Sequence, residues 1–161
     1  MLRNKNLVPL SRQHQHALAL CVRIDRAQPI SSADLGPWLT EMCQLFRQEI
    51  SFHFDAEEQV MFPAARRFAE LAPVVDELIA EHQLLRSRFA QAEANCLPVE
   101  ELTEFAQTFA AHIRKEERVL FEGLQRVLGA DEMDRMGVAI EQVLQNASQT
   151  CTLPKALTPT D

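Results

Sequence analysis

Proline placement constrains this chain more than any other feature. Pro29, Pro37, Pro63, Pro73 and Pro98 punctuate it, Gly129 follows, and between them apolar residues recur with a helical period. Those stretches are rich in Ala, Leu, Glu, Gln and Arg, the strong helix formers, and the 161 residues include four Gly and no Tyr. A chain punctuated this way folds as long helices with short joints.

The periodicity predicts a first helix over residues 11–28, with Ser11 as its N-cap, closed by Pro29 and the turn-like PISSAD. A second starts between Asp34 and Pro37, where proline suits a first turn, and runs to Pro63, which should kink or end it; ARRFAEL continues it briefly. Pro73 opens a third helix that reaches Asn95, and Pro98, followed by Glu100 and Glu101, opens a fourth that reaches Gly129. A shorter fifth covers residues 131–146. The expected fold is all-α: an up-down-up-down four-helix bundle with the short fifth helix laid against it. Residues 1–147 form one domain on this reading, and residues 148–161, SQTCTLPKALTPTD, a flexible tail.

The formal charge of −7 argues against nucleic acid and anionic membrane as partners, because both attractions need clustered Lys and Arg. No apolar run suits a signal peptide or a membrane span, so a cytoplasmic protein is expected. Cys21, Cys43, Cys96 and Cys151 lie far apart without a C-x-x-C pair and read as plain thiols, mostly small apolar residues within helices.

The chemistry is concentrated in a repeat. HFDAEEQVMF at residues 53–62 returns as HIRKEERVLF at 112–121, sharing His, Glu, Glu, Val and Phe. One helical face carries Phe46, Ile50, His53, Glu57 and Val60; its counterpart carries Phe105, Phe109, His112, Glu116 and Val119 or Leu120. Each His and Glu thus lies inside an apolar stripe, where an ionised carboxylate is costly and an imidazole needs partners. Residues four apart on a helix differ by only about 40° in azimuth, so both side chains can reach one point in the bundle centre.

The other helices each offer a histidine as well. RQHQ around His14 parallels AEHQ around His82, which favours His14 over His16; residues 14 and 16 sit about 200° apart, so only one can point inward. The inward set is then His14, His53, Glu57, His82, His112 and Glu116. If both carboxylates bridge and each of two ions takes two imidazoles, coordination positions remain open. Mixed nitrogen and oxygen donors with open positions suit two non-haem iron ions, with manganese or zinc as substitutes. Glu58 and Glu117 point about 100° away from their neighbours, toward the surface or the back of another ligand, although a small helix rotation would bring either inward.

In this order, His14 on helix one, HFDAE on helix two, Glu81–His82 on helix three and HIRKE on helix four, the chain resembles the hemerythrin-like, HHE cation-binding family over roughly residues 7–128. The resemblance implies a four-helix bundle around a di-iron centre that binds dioxygen or nitric oxide, in sensing, storage or a stress response. It matches His53, Glu57, His82, His112 and Glu116 to ligand positions, and His14 more loosely. Oxygen carriers of the family place two histidines four apart on the third helix, whereas Leu78 and Arg86 flank His82 here at that spacing. The four-His, two-Glu set is closer to iron-dependent stress-repair relatives.

Two alternatives stand beside this reading. One is a di-iron enzyme that reduces nitric oxide or peroxide, or donates iron to damaged iron–sulfur clusters. The other is a metal-free helical interaction module, in which each His–Glu pair is an ordinary i,i+4 contact. The ferritin pattern E-x-x-H and the zinc-protease pattern H-E-x-x-H do not describe these segments. The phenylalanines Phe46, Phe54, Phe62, Phe105, Phe109 and Phe121 read as core that could also keep water from a metal.

Overall fold

The computed structural model describes residues 2–150, with side chains through residue 146. It is an all-α up-down-up-down bundle. We number its helices α1, Val8–Arg26; α2, residues 35–66; α3, Ala72–Glu93; α4, residues 99–127; and α5, Ala130–Thr150. Each of the first four packs on its sequence neighbours and α4 closes the ring against α1. The fifth lies along residues 51–61 of α2 and against the N-terminal turn. It reaches Thr150, so three residues expected in the tail are helical; the rest of that expectation, with Cys151, lies outside the described residues.

Local chemistry accounts for the helix ends, with one correction. Ser11 is not an N-cap. A single 3₁₀ turn, Lys5–Leu7, precedes α1, and the Asn4 side chain caps it by accepting from the Asn6 N–H at 2.9 Å. Pro9 then sits in the first turn of α1, where its missing N–H costs nothing. At the other extreme, α3 ends with Asn95 at φ 53°, a left-handed residue in the place where glycine is usual; the Cys96 N–H donates to Gln91 O and the Asn95 N–H to Ala92 O. Cys96 is therefore exposed after a helix end, while Cys21 and Cys43 are buried within α1 and α2.

Pro63 neither ends nor breaks α2. Residues Glu57–Met61 form a wide, π-type turn in which the Phe62 N–H donates to Glu57 O, and Pro63 follows where the hydrogen-bond register returns to α. Such a register change leaves one carbonyl without a donor, so a residue lacking its N–H is tolerated there. The same turn recurs at Glu116–Leu120 in α4, and another occupies Phe46–Ile50. The extra residue in each turn advances the inward face: Met61 is buried where Val60 was expected, and Leu120 is buried while Val119 is 48% exposed.

Two apolar clusters fill the bundle. One holds Leu20, Ile24, Met42, Phe89, Phe105 and Phe109; the other holds Leu10, Phe62, Leu78, Phe121 and, from α5, Met133 and Ile140. Gly137 permits the close seat of α5, since a Cβ there would meet the Asn6 side chain at 2.5 Å. No helix among the described residues is long and apolar enough to cross a membrane.

Candidate metal centre

Between the two apolar clusters lies a polar layer. His14, His53, Glu57, His82, His112 and Glu116 are each at most 2% exposed, and among the described residues they are the buried polar or charged side chains. All six residues expected to face inward do so. His16, the rejected alternative on α1, is exposed and pairs with Glu49 at 2.8 Å.

Helix geometry sets the spacing. His53 and His112 lie in α-helical turns, and the carboxylate of the residue four later meets each imidazole: His53 Nε2 to Glu57 Oε1 is 3.1 Å, and His112 Nε2 to Glu116 Oε1 is 3.1 Å. Glu57 and Glu116 are also the first residues of the two wide turns. Their second oxygens reach the other helices, Glu116 Oε2 lying 3.0 Å from His14 Nε2 and Glu57 Oε2 3.3 Å from His82 Nε2. Donor atoms of His14, His53, Glu57 and Glu116 thus fall within 4.8 Å of one another, as do those of His82, His112 and Glu116.

The outer ring nitrogens are all engaged. Nδ1 of His14 donates to Glu117 at 2.7 Å, that of His53 to Gln13 at 3.0 Å, that of His82 to Glu58 at 2.8 Å and that of His112 to Glu81 at 2.8 Å. A neutral imidazole that donates from Nδ1 carries its lone pair on Nε2. In that neutral form every Nε2 presents a lone pair to carboxylate oxygens that are also acceptors. Although the separations are short, none of the eight inward atoms has a hydrogen-bond partner. Such a cluster repels itself unless positive charge enters it, as protons or as metal cations.

Without metal, protons fill that role. Burial works against each imidazolium, but the carboxylates outweigh it: Glu116 and Glu117 push His14 up to about 9, Glu116 and Glu57 push His82 up to about 9, and Glu116 with Glu81 pushes His112 up to about 10. Burial likewise raises the carboxyls, yet the facing imidazoles hold Glu57 below its ordinary value and Glu116 well below it. Metal cations would satisfy the same set with the imidazoles neutral, and the donors fall into two groups that share Glu116.

Aromatic rings close the layer from both sides. Phe54 stacks on His82 with centroids 3.8 Å apart, and Phe121 stacks on His14 at 5.4 Å. Glu58 and Glu117, with two expected placements, lie behind His82 and His14 as acceptors. Gln13 is not among the residues the sequence singles out, and Glu81 enters there as part of the family pattern without a role behind His112. The available signal was the QH and EH pairing within RQHQ and AEHQ, where each residue precedes the inward histidine of its helix and supports the histidine of a neighbour.

Comparison with known families agrees with this geometry. A family model described as the hemerythrin HHE cation binding domain matches residues 8–124. No curated protein and no solved structure matches the chain.

Proposed function

The chain belongs to the hemerythrin HHE cation-binding family, and from that premise we propose that it is a non-haem di-iron protein that binds dioxygen or nitric oxide in sensing, storage or a stress response. The observation that carries the reading is the set of inward atoms without partners: four Nε2 atoms and both oxygens of two carboxylates, buried and gathered in one layer. His14 and His53 would hold one ion, His82 and His112 the other, with Glu57 and Glu116 spanning both. Manganese or zinc would fit the same donors.

Iron held there would supply coordination positions free of protein donors, where a diatomic ligand can bind. The protein's own part is to orient and to exclude. Four Nδ1 hydrogen bonds fix the imidazole tautomers, so each Nε2 faces inward before any ion arrives. Phe54, Phe62 and Phe121 line the layer and keep bulk water from it, which favours a small uncharged ligand over hydrated anions.

Anaerobic loading with ferrous iron tests this directly. About two irons per chain should be retained after gel filtration, and a charge-transfer band should develop in air or with nitric oxide. Replacement of His53 and His112 by Ala should abolish both. Retention of less than about one metal per chain by the unmodified protein would sink the reading.

A further inference from the structure

We propose that the two halves of the metal layer are unequal: the half built on His82 and His112 holds its ion more tightly than the half built on His14 and His53, and Gln13 is the positioning residue that sets the difference. This rests on the metal-centre reading above. The inner donors are close to balanced: each half has two imidazoles and one oxygen of each carboxylate within 3.6 Å of them, although His14 and His53 gather with both carboxylates within 4.8 Å and His82 and His112 with Glu116 alone. The outer hydrogen bonds differ in kind and favour the half built on His82 and His112.

His82 and His112 both donate to carboxylates, Glu58 and Glu81, each at 2.8 Å. In the other half His14 donates to a carboxylate, Glu117, but His53 donates to the amide oxygen of Gln13 at 3.0 Å. Hydrogen bonds to an ionised acceptor are roughly twice as strong as neutral ones, and they push electron density through the ring to the ligating nitrogen. An Nδ1–H held by an amide leaves Nε2 the poorer donor. The amide cannot compensate by turning its NH₂ inward, since ligation through Nε2 requires a proton on Nδ1 and hence an oxygen to receive it.

The neighbours of the carboxylates deepen the difference. Glu117 is shared most heavily: Ser11 donates to the same oxygen that receives His14, at 2.7 Å, and Arg3 pairs with the other oxygen. Glu58 is shared least, with Arg86 at 3.4 Å, while Glu81 pairs with Lys115. Gln13 and Glu81 occupy matching places in the RQHQ and AEHQ segments. The inequality thus comes down largely to an amide standing where its counterpart is a carboxylate.

Repulsion between two cations separates the binding steps in any such centre, so the order of filling and the response to substitution decide. Full-length protein stripped with chelator and carrying ¹⁵N-labelled histidine is titrated with Co(II) alone at constant neutral pH. The first equivalent should perturb the ring signals of His82 and His112, and the second those of His14 and His53. Gln13→Glu should strengthen the second step by roughly tenfold to a hundredfold, a gain that a loss of packing cannot produce. Glu81→Gln should weaken the first step by a similar factor and leave the second, and it carries the decision if Gln13→Glu does not fold. Simultaneous or reversed filling, or a second step indifferent to Gln13→Glu, overturns the proposal. Failure to bind any Co(II) overturns the metal centre itself, and the inequality with it.

Discussion

The polar layer and the apolar clusters on either side of it answer to different physics. The clusters are held by area removed from water and by close packing, for which Phe89, Phe105 and Phe109 at one end are interchangeable in kind with Phe62, Phe121 and Leu124 at the other. The layer is held by charge and by atom-to-atom direction. Its six side chains are as buried as the phenylalanines, yet they contribute to the fold only when protons or metal balance them. Apolar packing and charge balance thus act in separate slices of one bundle.

The largest expected effect isolates the layer, because the titratable groups of the apolar clusters, the Cys21 and Cys43 thiols, are pushed up by burial, Cys21 to about 12. In metal-free protein, His14, His82 and His112 are raised from 6.5 to about 9, 9 and 10, so the stability they contribute is complete below pH 6.5 and drains away as pH rises through about 9 to 10. Glu57 and Glu116 are lowered from 4.5, so their contribution is present above that pH and is lost as pH falls through their depressed values. Urea unfolding across pH should show a plateau between, with a steep alkaline loss that metal loading removes. An equal alkaline loss in loaded protein would break the separation.

Phe109→Ala attacks one apolar end instead. Phe109 is 1% exposed and packs against Phe54, Phe89 and Phe105, so its truncation should cost about 3–5 kcal/mol in urea unfolding. Metal stoichiometry should survive in the folded fraction; a parallel loss of metal would mean that the slices are not separable. Chelation makes the converse test. Each ion held at a free concentration about one hundred times its Kd contributes about 2.7 kcal/mol, so stripping should lower Tm while helical circular dichroism at neutral pH stays unchanged. Collapse of helicity on stripping would assign the fold to the layer after all.

The smallest effect supplies a baseline. Arg47 and Glu93 form a pair at 2.9 Å with both side chains more than half exposed, outside layer and clusters alike. Arg47→Ala should move unfolding by no more than about 0.5 kcal/mol. A larger change would show that surface charge reaches the bundle interior.

Much of this was legible in one dimension because helix periodicity is a local property. Proline positions separate the bundle helices, and a His with a Glu four residues on must share a face in any α-helix, so HFDAE and HIRKE announce their inward groups without a fold. Departures came where one residue changes phase. No propensity marks the wide turns that begin at Glu57 and Glu116, and after the first of them Met61 rather than Val60 is buried, whereas Leu120 was one of the two residues expected inward after the second. Ser11 reads as a cap in sequence, yet its hydroxyl serves Glu117, which is 106 positions away.

Residue spacing alone is enough to make the chain form long amphipathic helices with imidazoles and carboxylates on their buried faces. Those outcomes follow from spacing along a helix. The packed bundle alone sets which oxygen faces which nitrogen, and that Gln13 stands behind His53 where carboxylates stand behind the other three. These contacts join different helices, and the register between helices is set by how the whole bundle packs, which no local pattern encodes.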